Sequence, residues 1–390
     1  MIKKKTYLYK FSKKIIIFLL PLILFTRKIT TSSRIFIAFR VFLGLLFDFK
    51  NRITYIKRPL YSENVNRSSS KSYKNFAICF QGPVMDPFSF ETIKIYKKTL
   101  PEVNIIFSTW NGIDNKIKMK LEELNVHLLL LDPPNTELSR KPGFRATSFQ
   151  IKSTLAGLKY VNEKIGCEYS VKHRGDQRAY SSEWLFKLKT LQDTFPNNGN
   201  SITESKILLP SITCVKFRIY GIGDQFHFGK TKDLINFWDC PYYEDGLASL
   251  IVNHKNGIIN GTAIISEIYL MAKFLEKNNH NLKWTLEDYW SVIKNNFCIF
   301  DCSYIDFVFF KENYSFGIQP NLYLEYREDE RNYKSAYENN FNHADWIMLQ
   351  NQNIKDMPWY NSTHELWENN NKEHYPPVFK CIQKGGINCK

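Results

Sequence analysis

The sequence lacks most of the short motifs that mark well-known enzyme classes. It has no Cys-x-x-Cys pair, no Gly-x-Gly-x-x-Gly and no Gly-x-x-x-x-Gly-Lys-Ser/Thr. It has no Gly-x-Ser-x-Gly and no His-Glu-x-x-His. These absences argue against a paired-cysteine zinc site, a dinucleotide fingerprint, a P-loop, a hydrolase elbow and a zincin helix. An uninterrupted apolar run of about 20 residues, which a spanning helix needs, is also missing. Acidic residues are scarce in one place. Residues 1–58 hold fourteen Lys and Arg but a single acid, Asp48, so this segment carries nearly all of the net charge of +15. The remainder is close to neutral. That distribution excludes nucleic acid as the partner, because such a protein spreads basic residues over a folded face.

What is present is enough for a core, with 44% hydrophobic and 15% aromatic residues in 390. The segment 1–58 contains two short apolar stretches, IIIFLLPLILFT before Arg27 and RIFIAFRVFLGLLFDFK over 34–50. Neither spans a bilayer comfortably. Both suit an interfacial helix whose Lys and Arg reach anionic headgroups. The basic flanks put this end on the cytoplasmic face of a membrane. No small-residue cleavage site follows the first run, which argues against a removed signal peptide. The eight cysteines sit largely in apolar runs, as buried thiols of a reducing compartment do. Cys298 and Cys302 have helical spacing but no partners for a zinc set.

Four segments organise the chain: 1–58, a linker over 59–74, a main domain over 75–330 and a polar, aromatic-rich extension over 331–390. Within the main domain the pattern alternates. Strands are predicted over 75–84, 104–111, 126–134 and 168–178, with helices over 91–101, 116–124 and 145–163 between them. KILLPSI and CVKFRI read as further strands, and 266–278 and 286–296 as helices. This order predicts an α/β fold with a mostly parallel sheet covered on both faces.

Ligands of such sheets bind beyond the carboxyl ends of the strands. Gln81-Gly82-Pro83, Ser108 to Asn111, Asp132 and His173 to Arg178 fall there. In His-Arg-Gly-Asp-Gln-Arg, one carboxylate among cations suits a metal facing a diphosphate, or else a surface turn with an Asp–Arg ion pair. Gly223 to Gly229 brackets Asp224 and His227 with glycines, as a ligand-approach loop or a plain hairpin would. Glu267, Glu287 and Asp288 stand near helix starts, where any carboxylate is favoured.

The series ICFQGPV, IIFSTWN, Arg145 with SFQIKSTLAGL, VKHRGDQR and GDQFHFG, in this order over roughly 75–300, resembles the WavE lipopolysaccharide-synthesis family. The resemblance implies a GT-A-like glycosyltransferase of bacterial surface polysaccharides. Its donor would be a nucleotide-sugar and its acceptor a lipid-linked, lipopolysaccharide or capsular glycan. It implies that Gln81 and Gly82 shape the nucleotide pocket, with Arg145, Gln150 and Ser153 near the nucleotide and ribose. Arg174 and Arg178 would hold phosphate, and Asp224 and His227 would contact sugar or acceptor. Asp176 would bind Mg²⁺ or Mn²⁺, or the donor sugar, although the usual D-x-D motif has two acids and here one stands alone. Glu267, then Asp288, would serve as base if the reaction inverts, with Asp224 a further catalytic candidate. A sugar-phosphate transferase and an inactive membrane-bound assembly protein are the alternatives.

The charge asymmetry generates a prediction. Full-length protein should sediment with anionic vesicles and be partly released by high salt, which screens the electrostatic share. Deleting residues 1–58 should leave a folded protein in the supernatant. Full-length protein that ignores anionic lipid at low salt would refute the membrane anchor.

Overall fold

The computed structural model describes residues 59, 61–65, 70–134, 147–197, 199–212, 214–243, 265–309, 340–370, 381–383 and 386–387. Residues 1–58 and Arg145 lie outside this set. No helix among the described residues is long and apolar enough to cross a membrane.

Strands β1 (Phe76–Gln81), β2 (Asn104–Trp110), β3 (His127–Leu131) and β4 (Tyr169–Arg174) alternate with helices α1 (Phe88–Thr99), α2 (Asn115–Glu123) and α3 (Thr147–Tyr160). Then follow β5 (Gln177–Ala179), α4 (Trp184–Thr194), β6 (Ile207–Pro210), β7 (His227–Lys230), α5 (Thr231–Trp238) and β8 (Tyr242–Tyr243). Helices α6 (Ile265–Lys277) and α7 (Leu286–Asn296) precede β9 (Phe297–Phe300) and β10 (Phe307–Phe309). Helices α8 (His343–Asn351) and α9 (Tyr360–Asn370) and the short strands β11 (Cys381–Gln383) and β12 (Gly386–Ile387) complete the order.

Seven strands form one sheet in the order β3-β2-β1-β4-β7-β6-β9. All neighbours are parallel except β7, which runs against both β4 and β6. Every residue of β1 is buried, as a strand covered on both faces requires. Register then assigns side chains to faces. Cys79 and Gln81 stand beside Lys172 and Arg174. Gly157 of α3 lies against Cys79, where an added Cβ would come within 3.4 Å of the cysteine Cβ. Because side chains alternate, Gln81, Lys172 and Arg174 share the α3 face. Phe80 and His173 take the opposite face, toward α1.

That opposite face is an aromatic core. His173 packs among Phe80, Tyr96, Phe226 and Phe307. Tyr96 Oη accepts from Ala179 N at 2.7 Å and donates to His173 Nε2 at 3.1 Å, so Nδ1 carries the proton given to Arg174 O at 2.8 Å. Arg178, on β5, turns into the same interior. Its Nε donates to Thr92 Oγ1 at 2.9 Å, Nη1 to Tyr180 Oη at 3.0 Å and Pro59 O at 3.2 Å, and Nη2 to Phe88 O at 3.2 Å. Its Cζ lies over the Phe88 ring, 4.3 Å from the centre. The predicted phosphate role of Arg178 is therefore corrected: the guanidinium ties β5 to α1, and at least four of its five N–H groups are committed to described residues.

Three further expectations change. CVKFRI forms no ladder strand. Its carbonyls are captured by α7, with Tyr289 Oη donating to Val215 O at 3.1 Å and Trp290 Nε1 to Lys216 O at 2.8 Å. Cys298 lies on β9 and Cys302 opens a 3-10 turn, so the two do not share a helix. The strand predicted over 168–178 breaks at Gly175 into β4 and β5. An added Cβ at Gly175 would sit 2.7 Å from Pro83 O and 2.9 Å from Ser89 Oγ, so only glycine lets this turn press on the loop after β1. In the expected extension, Trp346 of α8 donates from Nε1 to Phe297 O at 2.8 Å, and Trp359 meets Trp290 edge-on. The six cysteines whose side chains are described are buried and free of disulfides.

Two predictions arise from this interior. Burial holds the imidazoles of His173 and His227 neutral, lowering each pKa from 6.5 to about 3. Their folded values lie below the unfolded one, so the associated stability is complete above pH 6.5 and lost as pH falls. Urea midpoints at pH 7 and pH 5 should reveal a loss of about 2 kcal/mol per histidine. A flat profile would exclude buried neutral imidazoles. Arg178→Lys should cost about 2–3 kcal/mol of stability, because one ammonium cannot replace a fork of charged hydrogen bonds. Ligand affinity per folded molecule should not change, as read by titration above the residual unfolded fraction.

Candidate functional site

Strands β2 and β3 leave β1 on one side and β4 on the other, so the sheet order reverses between β1 and β4. Open α/β sheets bind ligands in the crevice outside the carboxyl ends at such a point. Gln81 and Arg174 are register partners there. Gln81 Oε1 accepts from Ser153 Oγ of α3 at 3.2 Å. Gly82 turns the chain with φ +90° and donates its N–H to Ser108 O at 3.2 Å.

One turn of α3 away, Gln150 Nε2 donates to Asp224 O at 3.0 Å. Asp224 belongs to the loop 211–226 between β6 and β7, which starts from the same edge. The link between that loop and β4 is Lys172. Its fully buried ammonium donates to Asp224 O and, at 3.0 Å, to Gln225 O, and lies 5.1 Å from the centre of the Trp238 ring. Burial lowers its pKa to about 7, while the Asp224, Asp176 and Glu267 carboxylates act to raise it and Arg174 adds to the lowering. Asp224 is 8% exposed, and its carboxylate makes no hydrogen bond to any described residue.

Arg174 grips Asp176 with a fork, Nε to Oδ1 at 3.0 Å and Nη2 to Oδ2 at 2.9 Å. The arginine side chain is 29% exposed and the aspartate 9%. Among the described residues, no group of three or more His, Cys, Asp or Glu side chains is placed to hold a metal. As placed, the Asp176 carboxylate is paired with Arg174 and not joined to other described carboxylates, His or Cys in a metal-ligand set.

Glu267 is buried at the start of α6, next to Ser266, whose Oγ meets Thr147 Oγ1 of α3 at 2.7 Å. The structure thus gathers Gln81, Ser153, Gln150, Asp224, Arg174, Asp176 and Glu267 around a residue the motifs did not single out, Lys172. The available signal was a lysine inside the apolar run YSVKH.

Two predicted residues are committed elsewhere. Trp238 Nε1, which can only donate, gives its hydrogen to His227 Nδ1 at 3.1 Å, so Nε2 carries the proton donated to Gly223 O at 2.8 Å. No ring nitrogen of His227 remains for a sugar. Asp288 Oδ2 accepts from Tyr220 Oη and from His280 Nε2 at 3.0 Å, which locks the loop 211–226 onto the start of α7. A carboxylate so engaged is a poor base.

Comparison with known proteins gives three results. No curated protein matches. A solved structure, 4-diphosphocytidyl-2C-methyl-D-erythritol synthase from Anaerococcus prevotii, is 16% identical, with 53% of this chain and 83% of that chain covered and a TM-score of 0.27. The family model for WavE lipopolysaccharide synthesis matches residues 77–373, which takes in β1, the switch point, Lys172, the loop 211–226 and helices α6 to α9. Covering most of the chain, that match places this protein in the WavE lipopolysaccharide synthesis family.

Proposed function

We propose that this protein is a glycosyltransferase that moves a sugar from a nucleotide-sugar donor to a hydroxyl of a growing lipopolysaccharide or capsular glycan. The observation that carries the reading is the buried polar cluster around Lys172 at the switch point of the sheet. Family membership supports a role in lipopolysaccharide synthesis. On this reading the sheet is of the GT-A type, and the donor lies across the carboxyl ends of β1 and β4. Gln81, Gly82, Gln150 and Ser153 border the nucleotide. The exposed part of the Arg174 guanidinium faces the diphosphate, with Asp176 fixing its direction.

Transfer breaks the bond between the anomeric carbon and the diphosphate and forms one to the acceptor oxygen. The diphosphate leaves with the electron pair, so fixed positive charge at that edge stabilises it. In an inverting reaction the acceptor proton goes to a carboxylate. Asp224 is the first choice, since its carboxylate has no hydrogen-bond partner among the described residues, and Glu267 is the second. No step needs a metal. The basic segment 1–58 would hold the enzyme at an anionic cytoplasmic membrane surface, where lipid-linked acceptors are built.

The test is a screen of nucleotide-sugars with full-length protein, reading nucleoside diphosphate release. Asp224→Asn should lower transfer about a hundredfold and shift stability by less than about 1 kcal/mol. Asp176→Asn should lower transfer on the same scale with little change in melting. Unchanged turnover in folded Asp176→Asn would confine its aspartate to a structural pair. Release of nucleoside monophosphate would instead identify a sugar-phosphate transferase. A protein that neither binds nor is stabilised by any nucleotide would be a scaffold.

A further inference from the structure

Five Lys and Arg side chains are deeply buried among the described residues: Lys172, Arg178, Lys206, Lys216 and Arg218. Four have protein partners. Lys172 holds two carbonyls, and Arg178 has four acceptors. Lys206 donates to Lys294 O at 2.7 Å and Asn295 O at 3.1 Å, and Lys216 pairs with Asp345 at 2.8 Å. Arg218 is the exception. It is only 6% exposed, its Nε and Nη1 are sealed from solvent without a hydrogen-bond partner, and it makes no ion pair with any described residue. A guanidinium cannot discharge itself by losing a proton. Burying one uncompensated is among the costliest arrangements in a fold.

The surroundings fix the backbone and stem of this arginine in place. It lies on the loop 211–226, which leaves the carboxyl end of β6 and carries Asp224 six residues later. Tyr289 Oη fastens that loop at Val215 O and, at 3.4 Å, at Gly221 O, and Trp290 fastens it at Lys216 O. The arginine stem lies flat on Gly221. An added Cβ there would fall 2.2 Å from Arg218 Cδ and 2.4 Å from Cγ. The neighbouring Lys216 goes to Asp345 and does not compete for an anion.

We propose that Arg218 is an oxyanion-binding residue of this edge and that the group it takes is a phosphate. The planar fork of donors matches phosphate oxygens, and the anion supplies the counter-charge that no described residue provides. The assignment rests on the reading of this edge as a nucleotide-sugar site. The phosphate could belong to the donor diphosphate or be carried by the acceptor.

The experiment titrates full-length wild type, Arg218→Gln and Gly221→Ala with pyrophosphate, followed by calorimetry and thermal melting. Pyrophosphate affinity should fall at least tenfold in both variants. Without ligand, Arg218→Gln should melt at or above the wild-type temperature, because an unpaired buried charge has gone. Gly221→Ala keeps the charge but displaces the stem, so it carries the test if Arg218→Gln does not fold. Equal pyrophosphate affinity in wild type and variants, or none in wild type, would overturn the proposal. A nucleoside diphosphate and a sugar phosphomonoester, titrated in parallel, separate the sources: loss for the first assigns the donor, loss for the second alone assigns the acceptor. Pyrophosphate binding needs no turnover. Loss of it in Arg218→Gln alongside a failed nucleotide-sugar screen would therefore sustain Arg218 and sink glycosyl transfer.

Discussion

The Lys172 ammonium is the contact on which the candidate site depends. It sits in the middle of a central strand, is fully buried, and is satisfied by the carbonyls of Asp224 and Gln225. An ammonium in that position must have acceptors, because an unpaired buried charge is costlier than the loss of a packed methylene chain. The loop after β6 is thereby pulled across the sheet edge. Gln150 binds the same Asp224 carbonyl from α3, so the helix, the strand and the loop meet at one backbone oxygen. The position of the Asp224 carboxylate follows from a bond made by its own main chain.

The two faces of the sheet divide the labour. Toward α1, the residues are aromatic and the polar atoms are closed into short chains, such as Ala179 to Tyr96 to His173 to Arg174 O. That face provides rigidity. Toward α3, polar side chains reach the carboxyl edge in sequence, Lys172 deep and Arg174 with Gln81 at the rim. A one-residue slip of β4 would exchange the two sets, placing Lys172 among aromatics and His173 beneath α3. Register with β1 is therefore as much a functional constraint as any single side chain.

Helix α7 has an unusual share in the site for an element that contributes no side chain to the cluster around Lys172. Tyr289, Trp290 and Asp288 all fasten the loop 211–226, through Val215 O, Gly221 O, Lys216 O and Tyr220 Oη. Two main-chain acceptors of CVKFRI, Val215 O and Lys216 O, take side-chain donors from α7, while Cys214 O and Arg218 O take main-chain ones. This lets a segment of strand-like composition serve as a rigid loop. Phe341 N closes the same loop from the segment before α8 by donating to Cys214 O at 2.7 Å.

Much of the frame was legible in the sequence. Runs such as FAICFQ and NIIFSTW, apolar on both faces and separated by helical periodicity, dictate a parallel covered sheet, because each needs burial on two sides. That a polar turn stands at the end of β4 followed equally from YSVKHRGDQR, whose charges cannot be buried without partners. The concentration of positive charge before residue 59 needed no structure at all. Tertiary structure decided which of those charges look outward. Arg174 and Arg178 are equivalent in the motif, yet the break at Gly175 sends one to the rim and the other into the interior against Thr92 and Phe88 O. Lys172 and Arg218 sit in runs whose local pattern says strand, and nothing local distinguishes a lysine that meets two carbonyls from an arginine that meets none among the described residues. Nor does GDQFHFG reveal that its histidine is sealed between Gly223 O and Trp238 while the Asp224 carboxylate has no hydrogen-bond partner among the described residues. Local sequence sets which residues are hydrophobic enough to be buried. At Lys172 and Arg178, acceptors such as Asp224 O, Gln225 O, Thr92 Oγ1 and Phe88 O come from chain segments 50 or more residues away, and only folding brings those together.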